Sequence, residues 1–182
     1  GLPDLCVITA AGAALYTNRA GAFTASTVTL PTGSYARGVW VDIDHDYDQD
    51  LLLVGAQGRL MRNNGQAGFS DQSADFPFAP GTAVDAVVLD LINDTTGHDL
   101  VVSYEGGPGV LYRDLLAGKF RATPIPALPA GARTLVAEDV DHDGWLDLLA
   151  AAPTGPVVLR GNDGAFDAVA VPGASGASRA VA

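Results

Sequence analysis

Two short segments of the chain place aspartates at alternate positions beside an apolar, strand-like run. In DVDHDGWLD the carboxylates fall at positions 1, 3, 5 and 9, and the same positions recur in DIDHDYDQD. The two sets are Asp139, Asp141, Asp143 and Asp147, and Asp42, Asp44, Asp46 and Asp50. Two such charges repel by roughly 1 kcal/mol at 4 Å even in water. We therefore expect a cation among each set.

The donor chemistry indicates which cation. Alternate side chains of a tightly turning loop converge on one point, and Gly144 at position 6 permits backbone angles that bulkier residues resist. Position 7 adds a backbone carbonyl, from Trp145 in one loop and from Asp48 in the other. An all-oxygen set of about six to eight donors favours Ca²⁺ over Mg²⁺. Tyr47 replaces the glycine in the other loop, so we expect calcium binding there with some strain or a different turn.

Acidic loops with similar spacing also occur in two other settings. An EF-hand begins with similar spacing, but it needs a bidentate glutamate at position 12 and helices on both sides. Position 12 is Ala150 here and the flanks are strand-like, which excludes the EF-hand. The remaining alternative is a solvated acidic turn that only favours solubility.

The acidic loop is one marker of an internal repeat. Its ninth position is occupied by Asp50, Asp99 and Asp147, 49 and 48 residues apart, and Asp4 lies 46 residues before Asp50. A second marker recurs in phase as ALYTNRAGAF, LMRNNGQAGF, LYRDLLAGKF and VLRGNDGAF. Each copy has an apolar pair, a polar turn and then a phenylalanine, and two markers in one register indicate a true repeat.

The middle copy of the acidic loop is degraded. Ile92 stands at position 3 after Asp90, and one inserted residue displaces Asp94 and Asp99. A metal held there through Asn93 stays an open alternative.

Each repeat unit is predicted to contain four short strands. Val, Leu and aromatic residues alternate with gaps of Gly, Asn, Asp and Pro, which is strand and turn chemistry. The predicted fold is therefore all-β, a β-propeller of four-stranded antiparallel blades with about four blade repeats in this chain. The alternative, a β-sandwich, does not predict a repeated acidic loop. The predicted units are residues 1–36, 37–84, 85–132 and 133–178, with 179–182 starting the next blade.

The two ends of the sequence fall at nearly the same point of the repeat. Gly1 stands at the sixth position of an acidic loop, and SRAVA (178–182) matches ARGVW (36–40). Either one blade closes from both ends of the chain, or the chain is a piece of a larger propeller, which we favour. No basic and apolar leader opens the sequence, so any export signal is expected to have been removed or to lie outside it.

Composition limits the classes of partner. Ten basic residues against 21 acidic ones give a net charge of -11, which disfavours nucleic acid and anionic membranes. No apolar run reaches the roughly 18 residues of a membrane span. Cys6 is the only cysteine, so the chain forms no internal disulfide and no cysteine-based zinc site.

The motifs resemble a known family. DxDxDGxxDL followed by an apolar strand, a turn and NxGxGF resembles the FG-GAP or VCBS repeat of the integrin α-subunit type of propeller. GFSDQSADF (68–76) is similar to the UnbV-like version in bacterial secreted or surface proteins. The resemblance implies a seven- or eight-bladed ring with calcium in the hairpin loops of its blades. It also implies that other loops make most of the ligand contacts.

The expected function is a calcium-stabilised, non-enzymatic recognition or adhesion module that binds a protein or glycan. We expect it to be extracellular, on a cell surface or periplasmic, and to associate with the remaining blades of its parent chain or with a second copy. The alternatives are the propeller of a polysaccharide lyase or hydrolase, and a purely structural scaffold. Neither GxSxG nor HExxH occurs, and His45 and His142 stand at position 4, where side chains should point away from the metal.

Three arginines form a further candidate site. Arg37, Arg133 and Arg179 each precede an actual or expected acidic loop by five or six residues, and Asp85 takes this place in the remaining repeat. First strands line the channel of a propeller, so these guanidiniums could grip a carboxylate or sulfate on a glycan. The alternative is that each arginine pairs with a local carboxylate.

Overall fold

The computed structural model describes residues 4–92, 97–173 and 175–179, and these form four antiparallel sheets. Gly1, Asn93 and Asp94, which carried predictions above, lie outside the described residues. The first sheet contains β1 (Leu5–Thr9), β2 (Gly12–Arg19) and β3 (Ala22–Ala25). The second contains β4 (Tyr35–Val41), β5 (Asp50–Gly55), β6 (Arg59–Asn63) and β7 (Phe69–Asp71).

The other two sheets also have four strands each. The third contains β8 (Ala83–Leu89), β9 (Asp99–Tyr104), β10 (Gly109–Asp114) and β11 (Phe120–Ile125). The fourth contains β12 (Arg133–Glu138), β13 (Asp147–Ala152), β14 (Gly155–Asn162) and β15 (Ala165–Val169). A 3₁₀ turn covers Gly65–Ala67. In the part of the chain described, no helix has the length and apolar character needed to cross a membrane.

Sequence-adjacent strands pair within every sheet, so each sheet is built from one continuous stretch of chain. The first strands of neighbouring sheets also lie against each other, β4 against β8 and β8 against β12. This is the arrangement of propeller blades. The predicted all-β fold with antiparallel blades is confirmed, and the sandwich alternative does not apply. Three sheets have the four predicted strands, and the first has three within the described residues.

The hydrophobic core lies between the sheets. One cluster joins the first and second sheets, another the second and third, and another the third and fourth. Because side chains alternate along a strand, β5 contributes Leu51 and Leu53 to the first of these clusters and Leu52 and Val54 to the next. The middle strands are therefore buried on both faces, which explains their continuous apolar sequence.

This register positions the acidic loops. In the second, third and fourth sheets, the last residue of the first strand lies opposite the aspartate that begins the second strand. These pairs are Val41 with Asp50, Leu89 with Asp99, and Glu138 with Asp147. Each acidic segment therefore closes a β-hairpin at the same end of its sheet.

Candidate metal centre

The structure brings together three carboxylates in each complete acidic loop. In the β4–β5 loop these belong to Asp42, Asp44 and Asp50, and in the β12–β13 loop to Asp139, Asp141 and Asp143. One oxygen from each residue lies within 4.8 Å of those of the other two. Asp46 and Asp147, which were also predicted as ligands, lie outside these two groups.

Both loops fold around the aspartate at position 1. The Tyr47 N–H donates to Asp42 Oδ2 at 3.0 Å, and the Gly144 N–H donates to Asp139 Oδ2 at 3.0 Å. The other oxygen of each carboxylate accepts a second N–H, from His45 at 2.8 Å and from Asp143 at 3.2 Å. The bond from position 6 is therefore common to the two loops, whereas the second donor is residue 4 in one loop and residue 5 in the other.

The residue at position 7 is tied to the carboxylate at position 5 in the same way. The Asp48 N–H donates to Asp46 Oδ1 at 2.9 Å, and the Trp145 N–H donates to Asp143 Oδ1 at 2.9 Å. The hydrogen bond from Asp48 is the main reason that the pKa of Asp46 lies below its usual value. These bonds stabilise the charged carboxylates, which is the form that a metal needs.

Tyr47 adopts the backbone conformation that glycine adopts in the other loop. Its φ is 71°, beside 93° for Gly144, and the histidines at position 4 are also left-handed, with φ of 64° at His45 and 61° at His142. The Tyr47 side chain is 94% exposed. Tyr47 thus has a left-handed backbone conformation that is unfavourable for a residue with a Cβ, as the predicted strain requires. The turn itself keeps the backbone conformation that it has in the loop with glycine.

The aspartate at position 9 also connects the loop to the third strand of its sheet. Asp50 accepts the N–H groups of Ile43 at 2.9 Å and Asn63 at 2.7 Å, and both its oxygens are used. Asp147 accepts those of Val140 at 3.0 Å and Gly161 at 2.8 Å. Both aspartates are fully buried.

The same connection occurs in the other two repeats. Asp99, in the degraded repeat, accepts the Asp114 N–H at 2.8 Å, and Asp4 accepts the Asn18 N–H at 2.8 Å. Sequence reasoning treated these residues only as metal ligands or as spacing markers. The signal for a structural role was present, because an aspartate persists at this position in the repeat that has lost its alternating carboxylates.

The β4–β5 loop fits a cation on two observations. Asp44 Oδ1 is buried and accepts no hydrogen bond from the described residues, and a buried oxygen without a donor requires an explanation such as a bound water or ion. The pKa of Asp50 is raised to about 6, chiefly by burial and also by the Asp44 and Asp46 carboxylates, against the backbone N–H bonds that lower it. A cation at this point would give Asp44 Oδ1 a partner and would oppose the raised pKa of Asp50.

An arginine on the third strand approaches each loop. Arg62 Nη2 lies 2.5 Å from Asp44 Oδ2 and 3.3 Å from Asp46 Oδ2, and Arg160 Nε lies 2.6 Å from Asp141 Oδ2. Sequence reasoning missed both arginines. They recur in phase within the second repeat marker, as LMRNN and VLRGN, and that repetition was the available signal. Part of the positive charge expected among the aspartates is therefore supplied by the protein.

His45 points away from the loop centre, to the neighbouring sheet. Its Nε2 lies 2.9 Å from Asp114 Oδ2, and the Asp114 side chain is almost completely buried. Asp114 is the last residue of β10 in the third sheet, and its own N–H is bonded to Asp99. The loop of one sheet is thereby linked to the position-9 connection of the next.

The three predicted ligand-binding arginines lie close to local groups. Arg37 Nε is 3.6 Å from Asp85 Oδ1, and Arg133 Nη2 is 4.0 Å from Glu105 Oε1. Arg179 is exposed, and its carbonyl accepts a hydrogen bond from a neighbouring threonine side chain. Their grip on an acidic glycan stays a prediction, and two of them have the local carboxylate partners of the alternative interpretation.

The chain was compared with known proteins. No curated protein matches it significantly. One family model matches a part of the chain that includes the whole fourth sheet and its acidic loop, and this supports the resemblance drawn from the motifs. Residues 130–171 match the model of the FG-GAP repeat.

Proposed function

We propose that both complete acidic loops bind Ca²⁺, and that the chain is a calcium-stabilised, non-enzymatic recognition or adhesion module. The observation that carries the proposal is the shared loop course, which holds three carboxylates together in each loop and leaves Asp44 Oδ1 without a donor. An all-oxygen donor set suits a hard cation.

The ligands in the first loop are Asp42, Asp44, Asp46 and Asp50, with the Asp48 carbonyl. Those in the second loop are Asp139, Asp141, Asp143 and Asp147, with the Trp145 carbonyl. The bound ion would supply the positive charge that offsets the crowded carboxylates. The residues themselves fix the hairpin, because backbone N–H groups already hold positions 1, 5 and 9.

A role outside the cytoplasm follows from the affinity that we expect. Exposed loops of this kind suit sites of about 10⁻⁴ to 10⁻³ M, which fill at the calcium concentrations outside cells. The FG-GAP match of residues 130–171 favours recognition over catalysis. We propose a protein or glycan as the ligand. We propose further blades, from the parent chain or a second copy, as the structural partner. The proposed repeat units are residues 1–36, 37–84, 85–132 and 133–178.

Calorimetry and thermal melting of the calcium-free protein test the proposal. One site filled at about ten times its Kd adds about 1.4 kcal/mol to the free energy of unfolding. For a chain of this size we expect a rise of about 3–6 °C in Tm for each site. Mg²⁺ at the same concentration should give a smaller rise, because it needs a tighter octahedral set.

Matched variants assign the sites. Asp44→Asn should abolish one binding event and Asp141→Asn the other, whereas Asp75→Asn, at an exposed aspartate outside the loops, should retain both. No binding heat and no change in Tm with millimolar calcium would show that the loops are acidic turns without a metal.

A further inference from the structure

An open cavity of about 540 Å³ lies at the far end of the second sheet from its acidic loop. Its walls come from the β5–β6 turn, the start of β6, the end of β7 and the segment that follows β7. β5 begins at the acidic loop and ends at this turn, so about 16 Å of strand separates the two places. The size falls within the range of small-molecule sites.

Arg59 brings an incompletely bonded guanidinium to this cavity. Its Nη2 donates to Gln57 Oε1 at 3.1 Å, its Nη1 makes a long contact of 3.5 Å with the Gly58 carbonyl, and the Tyr35 hydroxyl also lies near the guanidinium. Its Nε is buried and finds no acceptor among the described residues. A guanidinium carries five N–H donors, and a buried donor without a partner is costly. The Nη nitrogens therefore keep N–H donors that a ligand in the cavity can use.

Asp71 places an acceptor on the same wall. The Ser73 hydroxyl and the Ser73 N–H both donate to its Oδ1. The bond from the hydroxyl is the main cause that lowers the pKa of Asp71, and the Arg59 guanidinium lowers it further. The cavity thus combines a cationic donor with an ionised acceptor.

Phe78 and Ala74 complete the lining with apolar surface. A Cβ on Gly58 would lie 2.3 Å from Phe78 Cδ1, so the ring can approach the turn only because residue 58 has no side chain. The other neighbour of the ring is Phe76, with the centroids 4.6 Å apart. The aromatic wall is therefore held in place from two directions.

We infer that this cavity binds a neutral carbohydrate, with Arg59, Asp71 and Gln57 contacting its hydroxyls and Phe78 its apolar face. An anionic ligand would meet Asp71 and a chain with a net charge of -11, and a cationic one would meet Arg59. Sugar hydroxyls both donate and accept, so a neutral sugar satisfies both charged walls. The inference rests on the proposed recognition function and names the ligand class for it.

Amide NMR spectra of the full chain test the inference, with cellotetraose, mannotetraose and laminaritetraose as neutral probes and tetragalacturonate as the acidic one. We expect at least one neutral probe to shift the amides of the β5–β6 turn and of Ala74. Arg59→Leu should weaken that binding about tenfold or more. Arg121→Leu is the matched control, at an exposed arginine on β11, and should bind like the wild type.

Gln57→Ala, at an exposed turn position, gives a second variant that leaves the core intact, and we expect it to bind several-fold more weakly. The inference is overturned if none of the neutral probes shifts the cavity amides, if tetragalacturonate binds more tightly than they do, or if both variants bind like the wild type. Calcium titrations of the same samples separate the two proposals. Stabilisation by calcium without oligosaccharide binding overturns this inference alone, and failure of both overturns the recognition function as well.

Discussion

Replacing Asp147 by alanine removes two hydrogen-bond acceptors from a fully buried position. The Gly161 N–H then loses its partner at a buried position, which costs about 1–3 kcal/mol, and the Val140 N–H loses its partner at a part-buried position that water can reach. Removal of the buried carboxylate also removes its own desolvation cost, so we expect a total loss of about 1–3 kcal/mol. Asp147→Asn keeps one acceptor and should lose about half as much.

We expect the loss of stability to differ between repeats. Asp4 is exposed and accepts a backbone N–H from Asn18 at an exposed position. Asp4→Ala should therefore destabilise the protein by less than about 1 kcal/mol. Glu138→Ala, at an exposed residue opposite Asp147 in the sheet, is the control for a lost carboxylate without lost bonds.

Urea unfolding in EDTA measures these differences without any contribution from bound metal. Hydrogen exchange of the Gly161 amide adds a local reading, because its protection should fall in Asp147→Ala. If Asp147→Ala in EDTA is as stable as Glu138→Ala, then the reasoning is refuted. A loss that occurs only in calcium would mean that Asp147 acts as a metal ligand alone.

Three further predictions concern single groups. Tyr47→Gly should stabilise the protein by about 0.5–1 kcal/mol in urea unfolding, since relief of a left-handed residue exceeds the entropy cost of glycine; a loss would mean that the exposed ring is needed. Arg160→Gln should tighten calcium binding several-fold by calorimetry, because a competing charge 2.6 Å from Asp141 is gone, and weaker binding would contradict this. Burial raises the pKa of Asp99, so the folded state binds its proton more tightly. The stability of the wild type relative to Asp99→Asn should then fall as the pH rises above about 4, and an unchanged difference would refute it.

The sequence predicted the features that depend on spacing along one chain. Aspartates at alternate positions, and a repeat period of 48 to 49 residues, were enough to predict four-stranded sheets and the place of each acidic loop. The second function of Asp50 and Asp147 was not predicted, because it depends on which N–H of the third strand faces the loop. That is a matter of register between strands, and no local pattern encodes it.

The arginines show the same limit. Arg62 and Arg160 contact the acidic loops because each lies on the third strand of its sheet, near the end where the loop is. Arg59 lines a cavity because the segment after β7 folds back beside it. The sequence identified Arg37 and Arg133 by their fixed distance from the loop. Distance along the chain does not determine which carboxylate a long side chain meets in the neighbouring sheet.

The position-9 aspartate has a consequence for how such repeats diverge. Asp99 keeps its bond to the third strand in a repeat where Ile92 has replaced an alternating carboxylate. The proposed metal binding and the hairpin closure therefore depend on overlapping but separable residues. A blade can lose its alternating carboxylates by mutation and remain a blade, so the copies of a repeat can diverge at these positions while the fold is kept.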